Sequence, residues 1–153
     1  MPSFMDVERP IKKMHNLIPS TLYTYSVRLR PGDDIKTALD SMCKDYHITA
    51  GCILSCVGSL NKLAVRFANQ PEVTIVQGPL EIVSLTGTLS ESGSHLHISC
   101  SDKIGSTIGG HLKEGNEIYT TAEIVIGVLA DVNFTREKDD TYGYNELVVR
   151  PKK

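Results

Sequence analysis

The chain alternates polar and apolar residues in several short runs, and this pattern predicts most of its elements. In Leu22 to Arg30, Tyr23, Tyr25, Val27 and Leu29 fall on one face, and Thr24, Ser26, Arg28 and Arg30 on the other. That period of two marks a half-buried strand. Pro31-Gly32 ends it, and Asp33-Asp34 precede a different period. Ile35, Ala38, Leu39, Met42, Cys43 and Tyr46 recur at helical spacing, so residues 34–46 are predicted as an amphipathic helix. Acidic groups at its start suit the positive end of the helix dipole.

Residues 50–57 are too continuously apolar for a surface strand and are expected to be covered on both faces. Gly58 to Asn61 reads as a turn, and residues 62–67 as the second arm of a hairpin. A short strand over 73–77 follows, closed by Gly78-Pro79, and then a long strand over 80–89. Alternation across 80–89 puts Glu81 with Val83, Leu85, Gly87 and Leu89, so its carboxylate needs a partner or water. Residues 95–101 form a strand, 102–111 a glycine-containing loop, and 118–130 another long strand in which Glu123 sits with Tyr119 and Thr121. The polar stretch 131–143 is expected to be loop, and 145–150 a last strand. Short, turn-rich links make the sheet mainly antiparallel. The fold class is therefore α+β, a mainly antiparallel β-sheet packed with one or two helices. The domain spans residues 20–150, with an arm over 1–19 and a tail over 151–153.

Composition narrows the classes of function. The chain has 153 residues, enough for one core without disulfide staples. Its net charge is −2, too little positive field to hold nucleic acid without sequence readout. Cys43, Cys52, Cys56 and Cys100 include no CxxC pair. With no secretory signal or membrane-length apolar run in view, they are expected to be reduced thiols of an intracellular, cytoplasmic protein.

Candidate chemistry gathers in residues 93–111, which hold three of the five histidines. Strand parity puts His95 and His97 on one face, with Leu96, Ile98 and Cys100 on the other. Cys100 thus points away from a histidine partner, which argues against a Cys–His nucleophile. With His111 from the following loop, three imidazole nitrogens could hold zinc or a related metal and leave one position open. The plain alternative is three polar residues on a solvated or inter-subunit face. Glu81 and Glu123, and more weakly Asp102, are candidates for carboxylates that fix the imidazole tautomers. Gly105, Gly109 and Gly110 lack the Lys-Ser/Thr of a phosphate loop and are read as turn residues.

The segments Arg28 to Asp34, Gly78 to Thr88, His95-Leu96-His97, Gly109 to Leu112 and Thr120 to Gly127 together resemble the plants and prokaryotes conserved (PPC) domain. The resemblance covers roughly residues 20–150. It implies an antiparallel sheet packed with helices, assembly as a homotrimer, and a histidine cluster that looks like a metal site, with His111 joining His95 and His97. In plants the domain follows an AT-hook; this sequence has no Arg-Gly-Arg-Pro core, so it looks like the stand-alone form, and DNA is not expected as a partner. The implied role is a trimeric module that binds a metal ion, zinc first, or a small ligand, with protein partners conceivable. A metal-dependent hydrolase is the alternative, and a DNA-linked role by analogy with plant relatives a second one.

Overall fold

The computed structural model describes residues 17–153. The chain runs β1 (Leu22–Leu29), α1 (Ile35–Asp45), β2 (Gly51–Arg66), β3 (Thr74–Leu89), β4 (His95–Ser101), β5 (Thr107–Leu112), β6 (Ile118–Leu129), β7 (Val132–Lys138) and β8 (Asn145–Pro151). Six strands form one antiparallel sheet in the order β1-β6-β2-β3-β4-β5, and β7 and β8 form a separate hairpin. The arm predicted over 1–19 lies almost wholly outside the described residues. None of the described helices is long and apolar enough to cross a membrane.

The helix forms where its spacing predicts. Asp34 caps it, accepting from the Thr37 backbone N–H at 2.8 Å. Its stripe of Ile35, Leu39 and Cys43 is fully buried against the sheet. The other carboxylate oxygen of Asp34 accepts from the backbone N–H groups of Gly115 and Asn116, which ties the start of α1 to the β5–β6 connection.

The sheet differs from the prediction in several places. The segments 50–57 and 62–67 are not a hairpin but one strand, β2, that bends through register shifts against β3 and β6. Likewise 73–77 and 80–89 are the single strand β3, which passes through a cis Gly78–Pro79 peptide bond. Gly58 and Pro79 look like chain breaks in sequence, yet here they lie within long bent strands. The stretch 131–143 is not all loop, because Val132 and Phe134 bury themselves in a small second core with Ala50 and give β7 its alternation.

Bending has a structural result. Beyond its pairing with β3 and β6, the end of β2 also pairs with β5, Val65 opposite Leu112 and Arg66 opposite His111. Strands β2, β3, β4 and β5 therefore close on themselves at one end of the sheet. Leu63, Val65, Leu85, Leu96, Ile98 and Leu112 fill the interior. Thr86, His95 and His97 of the same strands are left exposed, as are the apolar Leu54, Val57 and Val83.

Candidate functional site

Strands β4 and β5 bring the three histidines together. The predicted loop 102–111 is in part a strand: β5 pairs with β4 in a register that sets His111 directly opposite His97. Directly paired residues on neighbouring antiparallel strands share a face. The same rung continues to Thr86 on one side and Arg66 on the other, while His95 pairs with Thr88. Leu96, Ile98 and Cys100 are buried, as strand parity predicts. Gly109 and Gly110 allow close strand pairing: a Cβ on Gly109 would stand 2.4 Å from the Ile98 carbonyl oxygen, and one on Gly110 2.7 Å from that of Arg66.

The resulting cluster is tight. The ring centroids are 5.0–5.6 Å apart, and all three residues offer a nitrogen within 4.8 Å of the others. His95 Nε2 and His97 Nε2 are 3.3 Å apart, close enough for one ring N–H to donate to the other nitrogen. Partial burial lowers the pKa of His111 to about 4, helped by His95, Arg66 and Lys113; His95 is also lowered, first by burial and then by Arg136. Both rings are thus held neutral, the state in which imidazole can ligate a metal.

Two clefts meet at the cluster. A cavity of about 780 Å³ is lined by His95 and His111 with Arg66, Lys113, Arg136 and Glu146. A smaller one of about 320 Å³ is lined by His95, His97, Thr86 and Thr88, again with Arg136 and Glu146. Arg136 Nη2 donates to Thr88 Oγ1 at 2.7 Å, and Arg66 Nη1 to the Gln70 carbonyl at 3.2 Å. The β7–β8 hairpin therefore supplies one wall of the site.

The expected carboxylates lie elsewhere. Register shifts between Ile82 and Ser84 reverse the alternation of β3, so Ile82 and Leu85 are both buried and Glu81 is exposed rather than grouped with Leu85 and Leu89. Glu81 pairs with Ser101, four residues along β4 from His97, roughly 13 Å at ~3.3 Å per residue. Glu123 is exposed on β6, opposite Val57 and Arg28, with β2 and β3 intervening before β4. Asp102 accepts from the backbone N–H groups of Ile104 and Ser106 and serves the β4–β5 turn. Among the described residues, the carboxylate that lines both clefts with the histidines is Glu146. Sequence reasoning missed it, along with Arg66, Lys113 and Arg136. Arg66 was within reach, since alternation over 62–67 puts it on the outward face. Arg136 and Glu146 were not, because nothing in 131–150 tells where the hairpin lies.

An antiparallel domain with a closed sheet end and an outward-facing triad of histidines is the class that fold and site define. Residues 18–130 match the model of the Plants and Prokaryotes Conserved (PCC) domain, and the chain belongs to that family. It superimposes on a hypothetical protein from Salmonella with a TM-score of 0.86 and 37% identity, covering 88% of this chain and 98% of that one. A plant- and prokaryote-conserved protein from Pyrococcus horikoshii matches with a TM-score of 0.74 and 27% identity, over 88% and 97% of the two chains. A metal-containing protein from Archaeoglobus fulgidus shares the fold at 22% identity and a TM-score of 0.76, over 88% and 99%. Among curated proteins, the bifunctional protein GlmU of a Synechococcus strain is 41% identical over 133 residues, 87% of this chain. The chain spans about a fifth of the length of that relative and of a second GlmU.

Proposed function

We propose that His95, His97 and His111 hold a divalent metal ion, zinc first among the candidates, in a homotrimeric module that binds a small ligand. The observation that carries this is the 3.3 Å separation of the His95 and His97 Nε2 atoms, with a nitrogen of His111 in the same cluster. Two nitrogens each ~2.0–2.1 Å from one tetrahedral zinc are about 3.3–3.4 Å apart, so the pair fits such an ion. Neutral rings and an all-nitrogen donor set suit zinc, and suit nickel, copper or iron as well. That a protein from Archaeoglobus with the same fold is metal-containing supports the reading.

Assembly is supported by the outward face of the sheet. Leu54 and Val57 of β2 and Val83 of β3 are 48–57% exposed, apolar side chains that a subunit contact would cover. Sedimentation velocity across concentration is expected to show a trimer, and a clean monomer throughout would contradict it.

Three protein ligands with a fourth position open is also the pattern of catalytic zinc, and Glu146 is the carboxylate that lines both clefts. That favours metal-dependent hydrolysis as the second reading, with Glu146 rather than Glu81 or Glu123 as its base.

Metal analysis tests the main reading. Protein purified without added metal is expected to carry close to one ion per chain, and a His95→Ala/His97→Ala variant almost none. Equal content in the two would overturn it.

A further inference from the structure

Arg66, Lys113 and Arg136 come from three different strands or strand ends, yet all three line the cavity beside the histidines. All are half-buried, and none is in an ion pair among the described residues. Glu146 is the only acidic side chain among the described residues lining that cavity. A chain of net charge −2 has carboxylates to spare, and here it leaves three cations together without them. Two of the three are also held in place: Arg136 by Thr88, the rung partner of His95, and Arg66 by the Gln70 carbonyl.

A divalent cation at the triad would add to this positive charge, and like charges at close range oppose one another. An anion between the metal and the cations removes the conflict. Guanidinium groups are suited to it, because their paired N–H donors match the two oxygens of a carboxylate or phosphate. At about 780 Å³ the cavity is of the size that takes a small organic molecule. We propose that Arg66, Lys113 and Arg136 grip an oxyanion group of a small organic ligand, whose neighbouring part faces the histidine triad. The placement of that part rests on the metal reading above; the cationic grip does not.

Isothermal titration with inorganic phosphate and, separately, succinate tests the grip. The full chain is titrated metal-free and carrying one equivalent of zinc. Saturable binding of at least one anion is expected in both forms, at least tenfold tighter with zinc. Arg66→Gln/Lys113→Gln is expected to weaken it at least tenfold while zinc content and the thermal melt stay unchanged. Arg136→Gln gives an independent second reading should the double variant fail to fold. Binding of phosphate alone assigns a phosphoryl ligand, of succinate alone a carboxylate; either supports the proposal. If zinc does not load but the anion binds and the variants lose it, the metal reading falls and the anion site stands. No saturable binding of either anion to either form, or variants that bind like the parent, would overturn it.

Discussion

Asn116 is fully buried in the β5–β6 connection, five residues after His111. Its Oδ1 accepts from the Ala64 N–H at 2.8 Å, and its Nδ2 donates to the carbonyls of Ala64, at 3.3 Å, and Lys113. The side chain thus fastens β2 to the end of β5, beside the pairing of Arg66 with His111. Asn116→Ala removes three hydrogen bonds at about 1 kcal/mol net each, and leaves the Ala64 N–H buried without that partner at about 1–3 kcal/mol more. The Ala64 carbonyl keeps the Lys113 N–H at 3.1 Å, so it adds little. The expected loss is about 4–6 kcal/mol, a large share of the ~5–15 kcal/mol typical of a domain. With a urea dependence of about 2 kcal/mol per molar, the midpoint falls by about 2–3 M. Circular dichroism through a urea titration, at fixed protein concentration, reads this directly.

Asn116→Asp sharpens the test. It keeps the acceptor for Ala64 N–H but turns the two donations into carboxylate oxygens facing carbonyls, in a site closed to water. At neutral pH it should therefore destabilise at least as much as alanine. Burial disfavours the charged carboxylate, so its pKa rises in the folded state and the deficit against wild type should shrink as pH falls. A midpoint shift under about 0.5 M for Asn116→Ala, or an Asp variant as stable as wild type at pH 7, would refute this account of the residue.

The histidines give metal-free protein a second pH dependence. The folded pKa values of His95 and His111 lie below the unfolded value near 6.5, so the unfolded chain binds more protons in between, and their contribution to stability should be flat above pH 6.5 and fall toward pH 4. Thermal melts from pH 7.5 to 5 check this; His111→Gln should show a shallower fall, and identical profiles would count against it. At Gly87, where φ is +139° and a Cβ would lie 2.0 Å from the His95 carbonyl oxygen, Gly87→Ala should cost more than the ~1–3 kcal/mol of a rare backbone conformation, and should lower metal content with stability. Retention of both would show that β3 and β4 separate there without harm. Burial raises the thiol pKa of Cys43 and Cys56 to about 11 and of Cys100 to about 12, so in native protein at pH 8 iodoacetamide should label Cys52 alone, read by mass spectrometry.

Local patterns were legible wherever the signal was local. The helix stripe of Ile35, Leu39 and Cys43, and the split of His95 and His97 from Leu96 and Ile98, follow from spacing, and both hold. Sequence failed where the backbone departs from ideal alternation. The irregularity between Ile82 and Ser84 slips the period by one and moves Glu81 out of the apolar group. Gly58 and Pro79, the residues most often found at chain breaks, here sit inside strands 16 residues long. Closure of β5 onto β2 could not be read at all, because it pairs residues more than forty positions apart and depends on how far β2 bends. Spacing alone offered His111 as a loop residue near the other two; the pairing of His111 with His97 makes that meeting a matter of strand register.

That difference bears on what the site can do. All three histidines project from paired strands whose inner faces are packed with Leu96, Ile98 and Leu112, so their mutual geometry is fixed by the core beneath them. The surrounding wall is built otherwise. Arg136 and Glu146 belong to a two-stranded hairpin whose Val132 and Phe134 pack with Ala50 in a second core apart from the main one, and Tyr144 and Asn145 reach the cavity from its exposed end. A rigid donor set beneath a separately supported wall divides the labour: the triad sets which ion fits, and the hairpin sets which ligand reaches it. Exchange of residues 139–144 should therefore alter anion preference while metal content holds. Loss of metal on such an exchange would mean that triad and wall form a single unit.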